Sequence, residues 1–292
     1  MSTHAAPPPG GLIPPLLVGL IDDAAVFPPG SASVPDAVAA HREHRSAWYA
    51  NLIGPLVLPA SALGEVSPCL SPGESLPVSV VGDAGIEALD AAVTEADPRL
   101  LVRRAEIAVA KRGEDPQPGL RRLLTRLGSW PPLAGYAEVP LTWGLLGALD
   151  AIAAARADGL DVAPKFRTGG LAAELFPTPV ELAAVISACR DRQLPFKLTA
   201  GLHNAVRHTD PETGFVHHGF LNVLVAAVVA VEGAEVAEVA EMLGATESGP
   251  LTAAGLARRD SDRPLWVGFG SCSVMEPLTD LVRVGLINGG FE

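Results

Sequence analysis

The 292-residue chain carries 21 Lys and Arg against 33 Asp and Glu, for a net charge of −12, and is 48% hydrophobic with 30 Gly and 27 Pro. That length accommodates one α/β barrel or two smaller domains with a large core, and a Gly plus Pro share of about a fifth falls below the roughly 25–30% of disordered low-complexity chains. The acidic balance argues against a nucleic-acid partner, whose phosphates need clustered Lys and Arg. The apolar run Val223 to Val231 is far shorter than the roughly 18–20 residues of a membrane span, so no membrane partner is expected.

Three cysteines, Cys69, Cys189 and Cys272, are an odd number without metal-knuckle or disulfide spacing. The start, Met1 to Gly11, has neither a basic segment nor an apolar one of signal-peptide type. Both features point to a reducing cytoplasm. Residues 1–11, with Pro7, Pro8 and Pro9, read as a disordered or extended tail, and the rest as one domain.

From there the chain alternates apolar β-branched runs with helical patterns. Strands are expected at Leu16–Ile21, Leu52–Leu58, Leu76–Val81, Leu101–Ala108, Leu133–Val139, Asp161–Phe166, Pro195–Thr199 and Leu265–Phe269. Helices are expected at Val34–Ala50, Ile86–Ala96, Pro118–Leu127, Leu145–Ala157, Pro179–Gln193 and His218–Val231, with Thr178 as N-cap and Pro179 at the first helical position. Eight β-then-α units predict a parallel (β/α)8 TIM barrel. A doubly wound sheet would carry a Gly-rich phosphate loop after its first strand, and Ile21-Asp22-Asp23-Ala24 is not one. Two insertions interrupt the pattern, a lid-like polar loop at 204–219 and a Gly/Ser/Pro-rich piece with a short helix at 241–264. The apolar helix around Val223–Val231 packs either beneath the lid or against a second subunit, which leaves a homo-oligomer open.

Barrel chemistry sits at the C-terminal strand ends. Those ends bring Asp22, Glu106, Glu138, Lys165 with Arg167, Lys197 with Thr199 and His203, and Ser271 to Ser273. A lysine inside a core strand is unexpected, because an unpaired buried ammonium is strongly disfavoured. Beside a second cation in apolar surroundings its pKa falls, and the amine becomes a nucleophile toward carbonyls. Lys165 and Lys197, on consecutive strands, fit such an imine-forming site. The alternative is that each lysine only neutralises a carboxylate such as Glu138 or Glu106. Gly268-Phe269-Gly270-Ser271-Cys272-Ser273 before a helix leaves backbone N–H groups free for a phosphate.

These residues resemble a family. Lys165-Phe166-Arg167-Thr168-Gly169 is similar to the Lys-x-x-Thr-Gly around the Schiff-base lysine of deoxyribose-phosphate aldolases. Lys197-Leu198-Thr199-Ala200-Gly201 resembles that family's seventh-strand Lys-x-x-x-Gly, and Phe269-Gly270-Ser271-Cys272-Ser273 its phosphate-binding helix entry. Leu20-Ile21-Asp22 with Pro28, then Pro59, Val80-Val81-Gly82 and Glu138, follow in the family's order.

The resemblance implies a lyase with no cofactor and no metal, acting on a small carbonyl substrate that is phosphorylated or carboxylated. Lys165 would be the nucleophile, with Lys197 and Arg167 holding its pKa down. Asp22, Glu106 or Lys197 would hold a proton-relaying water, with Glu138 also in the site. Arg167, Thr168, Thr199, Gly201, His203, Gly270, Ser271 and Ser273 would bind substrate. Two departures stand out: the family's fourth-strand acid is replaced by Ala108 in this reading, with Glu106 on the opposite face of the strand, and Phe166-Arg167 stand where the family has Thr-Ser, which changes the pocket's shape and charge. Two other readings follow from the residues. A barrel without this relay would bind an anionic metabolite without aldol chemistry. Metal-dependent hydrolysis or lyase chemistry would instead use His203, His208, His217 and His218 with Asp210 and Glu212.

Overall fold

The computed structural model describes residues 12–289; the expected N-terminal tail, 1–11, lies outside them. Eight parallel strands close into a barrel: Ile21–Asp23 (β1), Ile53–Pro59 (β2), Leu76–Val81 (β3), Leu100–Ala108 (β4), Ala134–Glu138 (β5), Val162–Arg167 (β6), Phe196–Thr199 (β7) and Trp266–Ser271 (β10). The two remaining strands, His208–Thr209 (β8) and Val216–His217 (β9), pair antiparallel as a separate hairpin. Helices Val34–Ser46 (α1), Ile86–Thr94 (α2), Gln117–Leu127 (α3), Leu145–Ala157 (α4), Pro179–Asp191 (α5), Phe220–Val231 (α6) and Met275–Arg283 (α9) each follow a barrel strand, and short 3-10 turns at Ala60–Glu65 and Ser67–Cys69 follow β2. This is the (β/α)8 barrel that the strand count predicts. None of the described helices is long and apolar enough to cross a membrane.

The first strand begins five residues later than the apolar run suggests. Pro15–Leu17 forms a 3-10 turn, and Gly19, at φ +61°, reverses the chain before β1. Leu16, Leu17 and Leu20 are buried all the same. Arg263 fixes this segment to the last strand: its guanidinium donates to the carbonyls of Leu16 (2.8 Å), Val18 (3.1 Å), Trp266 (2.7 Å) and Val267 (2.7 Å). The apolar run thus joins the core as a turn, which periodicity alone does not distinguish from a strand.

Elsewhere local chemistry and fold agree. Thr178 caps α5 in a reciprocal box with Glu181, and Pro179 opens the helix. Helix α6 has almost no polar face, and its first turn meets the 204–219 insertion as the lid reading expects: the Phe220 and Leu221 N–H groups donate to the carbonyls of Asn204 and Ala205, and Asn222 Oδ1 accepts from the Arg207 N–H. The helix is covered by Val236–Gly244 (α7) and Ser248–Ala257 (α8), with α5 alongside. The insertion at 241–264 therefore contributes an outer helical layer. Asn222, the polar residue within α6, is satisfied there, donating to the carbonyls of Met242 and Ala245.

Candidate active site

Parallel-strand register explains why the charged groups meet. Glu138 of β5 pairs with Lys165 of β6, which pairs with Lys197 of β7. Laterally paired residues point to the same side of a sheet, so one carboxylate and two ammonium groups enter the barrel side by side. On β1, Asp22 is paired with Gly270 of β10, and on β4, Arg104 and Glu106 also face inward. The expectation that Glu106 points away from the site is wrong, because residues two apart on a strand share a face. Glu106 and Ala108 therefore face the same way, and the carboxylate sits one layer below Ala108.

The result is a continuous buried network. Glu106 accepts from Lys197 Nζ at 2.5 Å, from Lys165 Nζ at 2.9 Å and from Ser79 Oγ at 2.6 Å. Lys197 Nζ also reaches Asp22 at 2.5 Å, and Asp22 receives Arg104 at 2.6 and 2.8 Å. Lys165 Nζ reaches Glu138 at 3.0 Å, and the other oxygen of Glu138 accepts from Arg167 Nε at 3.1 Å. The Tyr136 ring lies 5.2 Å from Lys197 Nζ and 5.8 Å from the Arg104 guanidinium, a cation–π distance that suits a desolvated charge. Asp22, Glu106, Lys165 and Lys197 are all buried.

Besides Ser79 and Tyr136, two more residues outside the sequence-derived set complete this network. Arg104 balances Asp22, and Gly54 of β2 makes room for it: a Cβ at position 54 would stand 1.9 Å from Asp22 Oδ1. A third signal lies in the lysine count. Of the 21 cationic residues only Lys111, Lys165 and Lys197 are lysines. Wherever else the chain places a basic side chain it uses arginine, which does not release its proton in a protein.

The electrostatics correct one expectation. Burial pulls the Lys165 pKa down, but the nearby carboxylates of Glu106 and Glu138 outweigh it, and the pKa is raised. The neighbouring cations do not set it. In turn burial raises Glu106 and Glu138, yet the ammonium groups around them prevail and both carboxyls lie below the usual range. The resting amine is an ammonium held by two carboxylates, so the pairing that the sequence leaves as an alternative is present.

Beside this network, at the ends of β4, β5 and β6, opens a cleft of about 320 Å³. Ala108, Val139, Leu141, Leu175 and Pro177 give it apolar walls, and Lys111, Arg112 and Arg167 give it cations. Glu138 belongs to both places: it lines the cleft and holds Lys165.

The remaining predicted residues fall nearby but bond mainly to the protein. Thr168 is buried and donates to the Ala200 carbonyl at 2.7 Å, tying the β6 and β7 loops together. Gly169 and Gly201 allow those loops to touch, since a Cβ on Gly169 would lie 2.9 Å from the Gly201 Cα, and Gly201 has φ +81°. Thr199 pairs with Arg167 on one side and Gly270 on the other. At the α9 entry, Ser271 Oγ donates to the Ser273 carbonyl at 2.7 Å and Ser273 Oγ accepts from the Glu276 N–H at 3.3 Å. The Glu276 carboxylate occupies the first turn of α9 and meets His203 Nδ1 at 2.8 Å.

The 204–219 insertion forms the β8–β9 hairpin. His208 and His217 stack on it at 5.2 Å, Phe176 packs on His217, and His217 Nδ1 lies 3.2 Å from the Gly201 carbonyl, so the hairpin rests on the β6 and β7 loops. His218 is buried against the Pro177 carbonyl, and burial lowers its pKa to about 4. Among the described residues, no group of three His, Cys, Asp or Glu side chains is placed to hold a metal. No family model matches the chain, and no curated protein matches it.

Proposed function

We propose that the chain is a Schiff-base lyase of the aldolase kind, with Lys165 as nucleophile. The observation that carries this reading is the pair of lysines in register on β6 and β7, sharing the Glu106 carboxylate inside a barrel that otherwise uses arginine. A structural ion pair has no need of lysine. A group that must lose its proton does.

Lys165 first passes a proton to Glu138, the carboxylate at the edge of the cleft. The free amine then adds to the substrate carbonyl carbon, and the carbinolamine loses water to give an iminium. Loss of a proton from the adjacent carbon gives an enamine, which bonds to a second carbonyl; in reverse, C–C cleavage sends its electron pair into the iminium. Hydrolysis returns the amine. Glu106, Lys197 and Asp22 form the hydrogen-bonded chain along which that carbon's proton moves. Similarity to deoxyribose-phosphate aldolases in the lysine motifs supports this assignment of roles, and the inward Glu106 supplies the acid for which Ala108 looked like a replacement.

Borohydride reduction in the presence of propanal tests the reading. Intact mass is expected to show one reduced adduct in the wild type and none in Lys165→Met; absence of an adduct, or full trapping by Lys165→Met, refutes it. The placement of Lys165 between the Glu106 and Glu138 carboxylates favours a second reading, a barrel that binds an anionic metabolite without chemistry. Anion binding without trapping would select that one.

A further inference from the structure

We infer that the cleft over β4, β5 and β6 is the subsite for an acidic group on the substrate, that this group is a carboxylate next to the reacting carbonyl, and that Arg167 receives it with Lys111 and Arg112. The inference rests on the Schiff-base reading for the carbonyl and adds the substrate class: a 2-oxo acid.

Three observations lead there. The Arg167 guanidinium uses only Nε, toward Glu138, and its two terminal nitrogens form no hydrogen bond among the described residues. Lys111 and Arg112 line the same cleft, and neither side chain forms an ion pair among those residues. The carboxylates around them are partly engaged: Glu138 holds Lys165 and Arg167, and Glu181 uses one oxygen on the backbone and hydroxyl of Thr178 while its charge also reaches Arg112, leaving Glu174 and the second oxygen of Glu181. The cleft therefore offers cationic donors in excess of free acceptors.

The charge count within the network says what would fill it. Asp22, Glu106 and Glu138 face Lys165, Lys197, Arg104 and Arg167, one cation too many. A substrate with one negative charge balances the set. Glu138 marks the shape, since a planar carboxylate already bridges Lys165 Nζ and Arg167 Nε through its two oxygens. A substrate carboxylate taking Arg167 in the bidentate manner of guanidinium–carboxylate pairs would put its adjacent carbonyl on the side of Glu138, the cleft residue that holds Lys165. It would also free Glu138 from Arg167 and, as a like charge, raise the proton affinity of Glu138, so that the proton leaves Lys165 when a substrate is present.

The test compares borohydride trapping of pyruvate, propanal and dihydroxyacetone phosphate in the wild type, Arg167→Met and Arg112→Met. Oxamate, a pyruvate isostere whose amide forms no imine, serves as competitor. The expected result is that the half-trapping concentration of pyruvate, relative to that of propanal, rises about tenfold or more in Arg167→Met, as loss of a charge-assisted pair predicts. It should rise by a smaller factor in Arg112→Met, and oxamate should compete with pyruvate in the wild type. If propanal is trapped on Lys165 while the pyruvate ratio is the same in all three proteins, the subsite assignment falls and the Schiff-base reading stands. A variant-dependent ratio for dihydroxyacetone phosphate but not for pyruvate overturns the carboxylate in favour of a phosphate. Oxamate binding that Arg167→Met abolishes, with no carbonyl trapped at all, overturns the Schiff-base reading and keeps the subsite. Arg112 is at the cleft edge, so its variant reports on the subsite even if Arg167→Met fails to fold.

Discussion

Glu106→Gln probes the network at its centre. The carboxylate is buried and takes three hydrogen bonds, from Lys165, Lys197 and Ser79. Removing one partner of a buried ion pair costs about 3–5 kcal/mol, because the other charge stays buried. Gln keeps the volume and the Ser79 bond, and Asp22 and Glu138 still face the lysines, so the lower end, about 3 kcal/mol, is expected. At roughly 2–4 °C per kcal/mol for a chain of this size, the midpoint falls by about 6–12 °C.

The pH dependence has a definite sign. The folded-state pKa of Glu106 is depressed, so its stabilisation is complete above the ordinary value of 4.5 and is lost as pH falls through the folded value. The gap between wild type and variant in urea denaturation should therefore stay constant from pH 7 to about pH 5 and narrow only below the ordinary Glu value. The same substitution removes a carboxylate that raises the Lys165 pKa, so borohydride trapping should reach its plateau at lower pH in Glu106→Gln. A loss under about 1 kcal/mol, or a trapping profile that is unmoved or shifts to higher pH, would refute the network as described.

Three further expectations follow from the packing. Gly54→Ala would place a Cβ 1.9 Å from Asp22 Oδ1 and should cost about 1–3 kcal/mol in urea denaturation, whereas Gly64→Ala, with open space around it, should stay within about 0.5 kcal/mol. Arg263→Met abandons four backbone carbonyls shared between the segment before β1 and the last strand, and a loss of about 3 kcal/mol is expected from thermal or chemical melts. A thiol reagent should titrate Cys69 and Cys272 in the native protein and Cys189 only after unfolding, since Cys189 is buried and burial pushes its thiol up to about 12.

Much of the fold is legible in the chain because a barrel strand keeps its apolar run and its polar end apart. From Leu52 onward each expected strand overlaps an observed one. The exception, Leu16–Ile21, fails for a physical reason: burial does not require extended backbone, and Pro14, Pro15 and Gly19 favour a turn. Lys165, Lys197, Asp22 and Glu138 could be placed together because strand ends converge. Arg104 and Gly54 could not, since each lies within an expected strand with no motif around it, and their roles depend on lateral neighbours. The serines before α9 illustrate a limit of motif reading: Ser271 Oγ is turned to the Ser273 carbonyl and Ser273 Oγ accepts from the Glu276 N–H, contacts that the motif does not disclose. The restriction of lysine to positions 111, 165 and 197 was available from composition, as a departure from the arginine used elsewhere.

Peptide mass mapping after borohydride reduction with propanal tests the central claim most directly, because the chain has only three lysines to report on. The account predicts a reduced propyl adduct on Lys165, with Lys197 and Lys111 left unmodified at low propanal. An adduct confined to Lys197, or spread evenly over the three lysines and the N-terminal amine, would contradict it.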